Sequence, residues 1–282
     1  MRVCLLAAAL FATACIGPEK PDPTGTVENF TLDSVSVGDS FRIWVRLPQE
    51  YDGTRRFPVI VQLDANLPTL EEFWVTAGWA SRLEKDTIGP VIVVGIGWDG
   101  DHHARRLRDF SMPLENPDPQ NQFPNAGGAP AFLRFLGDEL LPHLEQKYLL
   151  AGPDKRAIFG HSMGGLFVTY ALSQQQSSAR LFRGYVAASP ALWWDGGTIH
   201  RYFDAFLARE PAAEAELLMT AGTLEGPEIN VYADDFAEKL QARAPPGIAF
   251  ENARYETMHI GSVQPSFVDG LVLFYDRGVL KE

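Results

Sequence analysis

The sequence predicts an α/β fold, with a mostly parallel central sheet and helices on both faces. Three observations predict it. Continuous apolar runs such as "FPVIVQLDA" (57–65) and "GPVIVVGIG" (89–97) read as strands buried on both faces. Stretches with helical spacing, such as "LEEFWVTAGWASRLE" (70–84), alternate with such runs along the chain. In "AIFGHSMGGLF" (157–167) a strand passes into a helix with almost no loop between them. At 282 residues and 46% hydrophobic content, the chain is long enough for one large domain of this class.

Residues 1–14 read as a secretory signal. Arg2 gives a charged start, and Val3 to Phe11 form an apolar run too short to span a bilayer. Ala12-Thr13-Ala14 then leads into Cys15. Small residues directly before a cysteine resemble a bacterial lipoprotein box, with Ala12 where leucine is usual. This predicts an exported, cell-envelope lipoprotein attached to a membrane through a lipid on Cys15. Residues 15–28, with "GPEKPDPTGT", form a Pro/Gly-rich linker, and the catalytic domain covers 29–282. Cys4 and Cys15 are the only cysteines, so the domain has no disulfide framework and no cysteine metal site.

Further elements follow in order. "FTLDSVSVGDSFRIWVRLP" alternates around Gly38-Asp39 and predicts an antiparallel strand pair. Residues 98–129, rich in Asp, Asn, Pro and Gly, read as one long irregular segment. Within it, "DGDHH" (99–103) matches no standard metal spacing and reads as a solvated loop. Arg105, Arg106, Arg108 and Asp109 read as an internal brace for that segment. Residues 130–149 form an amphipathic helix that Pro142 should disturb. Strands follow at 183–190, 215–222 and 248–256, and helices near 199–209, 229–242 and 264–276.

The strand-to-helix junction carries the pattern G-x-S-x-G. Its glycines permit a turn that holds Ser162 up and exposed, as a nucleophile elbow does. A serine hydroxyl needs a base to take its proton. His102, His103 and His143 precede Ser162, against the order Ser, acid, His. His161 should point elsewhere at so sharp a turn, and His200 falls within a helix. His259, in "YETMHIGSVQPSF" after the last strand, is the expected base. The acid should lie between them at a strand end. Glu225 is the leading candidate, with Glu228, Asp195, Asp234 and Asp235 as rivals. An oxyanion hole needs two backbone N–H groups. Met163 offers one, and the Ala65–Asn66 region of "LDANLP" the other.

"FGHSMGGLF", "ASPALWWDGG", "GTLEG", "RRLRDF" and "HIGSVQPSF" resemble the esterase D and siderophore-esterase branch of the α/β-hydrolases, from about residue 30 onward. The resemblance implies an α/β-hydrolase fold. It also implies a triad of Ser162, Glu225 and His259 that forms an acyl-enzyme, with Asn66 as an oxyanion donor. Family members usually show glycine near Ala65, and this chain departs from them there. The resemblance further places Trp193 or Trp194 in a substrate pocket. The expected function is hydrolysis of carboxylic esters, of siderophore type or with aromatic acyl groups, without metal or cofactor. An acyltransferase or a peptidase with the same triad, and a non-catalytic binding lipoprotein, are the rival classes. A net charge of -12 argues against a nucleic-acid partner.

Overall fold

The computed structural model describes residues 25–66, 71–100, 102–115, 123, 125–176, 180–209, 214–243 and 245–282. The expected signal and Cys15 lie outside these residues. Strand β1 (Thr26–Ser34) starts inside the stretch expected as linker and pairs antiparallel with β2 (Asp39–Leu47), Thr26 opposite Leu47. The turn between them contains Gly38 at φ 74. Then follow β3 (Val59–Gln62), α1 (Glu71–Asp86), β4 (Ile92–Gly97) and α2 (His102–Phe110). After these come α3 (Ala129–Arg134), a π-helical turn (Phe135–Leu140) and α4 (Leu141–Lys147). The second half runs β5 (Arg156–His161), α5 (Met163–Gln174), β6 (Gly184–Ala188), α6 (Ile199–Leu207), β7 (Ala215–Gly222), α7 (Pro227–Arg243), β8 (Ile248–Tyr255) and α8 (Val263–Asp276).

The eight strands form one sheet in the order β1-β2-β4-β3-β5-β6-β7-β8. Strand β2 pairs antiparallel with both neighbours, and every other pairing is parallel. The ends of β3, β4, β5, β6, β7 and β8 therefore share one edge, where sites assemble in open α/β sheets. Alternation along each strand divides the core. Ile158, Leu217 and Met219 pack on one face with residues of α3, α5, α6 and α7. Phe159, Val186 and Leu218 pack on the other with residues of α1 and α8. Helix α5 is buried on nearly every side. Its apolar surface thus serves the sheet and the helices around it together.

Two expectations need correction. The stretch 98–129 is not wholly irregular, because His102–Phe110 is helical. The charged side chains that hid this helix find partners in the loop after β3, in β2 and within the helix itself. Arg106 meets Asp64, and Arg108 meets Asp39 and Asp109. The helix expected over 130–149 continues through Pro142 with a change of winding. Leu141 N–H donates to Leu136 O, five residues back. The π-turn takes up the register change just before a residue that has no N–H to give.

Candidate active site

Ser162 sits between β5 and α5 at φ 60, ψ −116. This positive φ in a non-glycine residue marks local strain at the elbow. Gly160 and Gly164 make the turn possible. A Cβ on Gly160 would stand 2.3 Å from Gly164 O. Met163 opens α5, so its N–H lies among the donors without intrahelical partners.

His259 begins the short turn that follows β8. Its Nδ1 lies 2.5 Å from Glu225 Oε2. The Glu225 side chain is 1% exposed and that of His259 is 35% exposed. With Nδ1–H donated to the carboxylate, Nε2 remains available to accept a proton. Glu225 Oε1 accepts from Ser189 Oγ at 2.6 Å and from Gly222 N–H at 2.5 Å. Burial pushes this carboxyl upward, but hydrogen bonds from His259, Ser189 and Gly222 outweigh it and hold Glu225 below the usual carboxylate range. It is therefore ionised at neutral pH.

Ser189, held at φ 42, extends the network. Its Oγ lies 2.7 Å from Ser262 Oγ, which lies 2.8 Å from His259 O. The hydroxyls thus close a ring from the Glu225 carboxylate back to the main chain of His259. Ser262 has one hydrogen for two acceptors, so it bonds either His259 O or Ser189 Oγ at a given moment.

His161 does not point away from this group, contrary to expectation. Its ring lies 4.4 Å from the His259 ring, tilted 45°. His161 Nε2 is 3.0 Å from His259 O. Burial pushes the imidazole down to about 3, helped by His259 and Arg106. It is neutral, and the carbonyl it faces requires the Nε2–H tautomer. Only the direction of the β5 pleat reveals this contact, and the residue pattern does not record it.

The loop after β3 approaches from the opposite side. Ala65 N–H is committed to Ile96 O at 2.9 Å, which removes it as an oxyanion donor. The Asn66 side-chain amide donates to Trp98 O. Asn66 N–H takes part in no hydrogen bond found among the described residues. Asp64, at φ 60, pairs with Arg106 Nε at 2.7 Å, and Arg106 Nη2 donates to His161 O at 2.9 Å. The expected arginine brace therefore exists. It joins the β3 loop and α2 to the elbow strand.

The rival acids lie elsewhere. Asp195 Oδ2 accepts from Glu115 N–H and Thr198 Oγ. Glu228 is exposed in the first turn of α7, where it complements the helix dipole. Asp234 is paired with Arg254. The tryptophan pair divides. Trp194 is 4% exposed and meets Phe123 at 5.2 Å, whereas Trp193 is 39% exposed. Ala191 N–H donates to Ser162 O, which holds this segment against the elbow. His200 packs on Phe236. Among the described residues no group of three or more His, Cys, Asp or Glu is placed to hold a metal ion. Nor is any helix there long and apolar enough to cross a membrane.

A family model described as "Putative esterase" matches residues 34–238. The chain is 30% identical over 273 residues to ferri-bacillibactin esterase BesA of Bacillus subtilis, covering 89% of this chain and 92% of that protein. It is 26% identical over 232 residues to a siderophore triacetylfusarinine C esterase of Aspergillus fumigatus, covering 79% and 76%. Among solved structures, an IroE-like serine hydrolase from Shewanella oneidensis superposes with a TM-score of 0.76 at 25% identity, covering 89% of this chain and 80% of that one.

Proposed function

The chain belongs to the "Putative esterase" family and is a carboxylic ester hydrolase with the α/β-hydrolase fold; from that premise we propose that it acts through Ser162, His259 and Glu225 and a covalent acyl-enzyme. Ser162 Oγ attacks the ester carbonyl carbon while His259 Nε2 takes its proton. The N–H groups of Met163 and Asn66 stabilise the oxyanion. Glu225 holds the imidazole in the required tautomer and stabilises its charge. His259 returns the proton to the leaving alcohol as the C–O bond breaks. Water, deprotonated by His259, then releases the acid and frees Ser162.

The observation that carries this reading is the 2.5 Å contact between Glu225 and His259, whose ring centroid lies 4.4 Å from that of His161, the residue before the positive-φ Ser162. The substrate class is a siderophore-type ester or an ester with an aromatic acyl group. The names of the relatives support it, as does the exposed Trp193, two residues beyond Ala191, whose N–H bonds the elbow. The test is turnover of siderophore triesters, aromatic acyl esters, sugar acetates and short-chain esters, with Ser162→Ala alongside. A fluorophosphonate should label Ser162, and Ser162→Ala should abolish turnover. Labelling at another residue, or turnover by the variant, would overturn the assignment.

The same reading includes an exported lipoprotein anchored by a lipid on Cys15, supported by the apolar run and the small residues before it. Mass spectrometry after bacterial expression should find a diacylated Cys15. A mature form that begins elsewhere would refute it.

A further inference from the structure

The nucleophile and the base reach the site from different loops. Ser162 leaves β5 and His259 follows β8, with β6 and β7 between those strands. The contact with Glu225 restrains one nitrogen of the His259 ring. A ring held at one atom can still pivot about that bond and tilt out of line with the serine. A second restraint must come from the nucleophile's side to keep the distance between Ser162 and His259 constant.

We propose that His161 is the positioning residue that supplies this restraint, tying the base directly to the strand that carries the nucleophile. The inference rests on the assignment of His259 as base and extends it. His161 meets His259 in two ways. Its Nε2–H donates to the His259 carbonyl at 3.0 Å, which, beside Ser262 Oγ at 2.8 Å, helps to fix the main chain of the base loop. Its ring centroid lies 4.4 Å from that of His259, the planes inclined 45°, which limits movement of the His259 ring on that side. His161 is itself fixed, being 5% exposed with its carbonyl held by Arg106 at 2.9 Å. Arg106 is in turn held by Asp64 at 2.7 Å. The chain of contacts runs from the β3 loop to the base without a gap.

The residue type follows from these two tasks. Phenylalanine offers the ring without the donor. Glutamine offers the donor without the ring. Histidine offers both, provided it stays neutral while its neighbour is charged. The charged or titratable groups facing it are Arg106 from α2, Glu225 from the loop after β7 and His259 itself. Burial, then the charges of His259 and Arg106, favour the neutral ring, while the hydrogen bond to the His259 carbonyl and the charge of Glu225 oppose them.

The test uses the full-length protein with p-nitrophenyl acetate as substrate and a fluorophosphonate as a probe of nucleophile activation. His161→Ala, His161→Phe, His161→Gln and His259→Ala are compared, each with its melting temperature. A displaced base costs on the order of 10- to 100-fold in rate. His161→Ala should lose that much in kcat and in the rate of Ser162 labelling, with KM within about twofold. Phe and Gln should each recover part of the loss. A folded His161→Ala with wild-type kcat and labelling rate would overturn the proposal. So would a loss that vanishes after correction for the folded fraction. Retained turnover in His259→Ala would instead remove the base assignment, and the proposal with it.

Discussion

Glu225 Oε2 lies 2.5 Å from His259 Nδ1, while Glu225 Oε1 is held by Ser189 and Gly222. The two oxygens of one carboxylate thus have separate partners. One faces the base and the other is fixed by the scaffold. Glu225→Gln should keep the fold and lower kcat by about 10⁴-fold, the scale for amide replacement of a triad acid through the wrong tautomer. Asp195→Asn and Glu228→Gln should stay within a few-fold of wild type. A near-normal rate for Glu225→Gln would mean that another carboxylate orients the base.

Ser189 and Ser262 share two hydroxyl hydrogens among three contacts. In Ser189→Ala, Ser262 can donate only to His259 O, so the base stays anchored while the acid loosens. A lost hydrogen bond to a charged group costs about 1.5–3 kcal/mol. Ser189→Ala should therefore lower stability by that amount and kcat by about tenfold. The double variant with Ser262→Ala should cost clearly less than the sum of the singles. Strict additivity in denaturant titrations would count against a shared ring.

The elbow makes a sharper demand on backbone space. Gly160→Ala would put a methyl 2.3 Å from Gly164 O, with only backbone to give way. This variant should fail to accumulate as soluble protein. Gly196, at φ 65, has nothing within 4 Å of an added Cβ. Gly196→Ala should cost about 1–2 kcal/mol, from the left-handed conformation alone. Equal solubility and melting temperatures for the two variants would refute the steric account.

The two adjacent tryptophans should give opposite phenotypes. Trp194 is buried, so Trp194→Ala should lower unfolding free energy by about 3–5 kcal/mol. Trp193 is partly exposed and lies two residues beyond Ala191, whose N–H donates to Ser162 O. Trp193→Ala should leave stability nearly unchanged and raise KM for aromatic acyl esters by about tenfold, relative to acetates. Equal effects on both ester classes would remove Trp193 from the acyl pocket.

His161 should also make the protein acid-sensitive. Below about pH 6.5 the unfolded chain takes up a proton on this imidazole. The folded protein refuses that proton until pH about 3, because of burial and the nearby His259 and Arg106. The unfolded state therefore binds more protons between those values, and stability falls as pH falls. Above about pH 7.5, where the unfolded imidazole is also neutral, the group contributes no slope. His161→Gln removes the effect and should flatten the pH dependence by about 1.6 kcal/mol between pH 6.5 and 5. Denaturant midpoints for both proteins across that range provide the measurement. Parallel curves would mean that the folded protein admits the proton.

The fold and the candidate residues were legible where backbone chemistry leaves a local mark. The antiparallel start shows in alternation around Gly38, and the elbow in its glycines. Glu225 and His259 could be located because each stands just past a strand end. Helix α2 was hidden because its arginines are satisfied by Asp39 and Asp64, which are distant in sequence. The π-turn was hidden because proline announces a fault without saying how the helix absorbs it. The ring of Ser189, Ser262 and His259, and the approach of His161, depend on where side chains point across three loops. No periodicity encodes that.

The direction of β1 has a consequence for how substrate arrives. Its first residue, Thr26, lies opposite Leu47, the last residue of β2. The other end of β2 lies beside Gly97, at the edge that carries Ser162 and His259. The chain therefore enters the sheet at the end opposite its catalytic mouth. Ten residues separate Cys15 from Thr26 and reach at most about 35 Å. Were Cys15 the anchor proposed above, so short a tether would hold the rear of the domain toward the bilayer and turn the mouth outward. An enzyme so anchored would sample esters diffusing in the aqueous compartment, with the lipids of its membrane behind it.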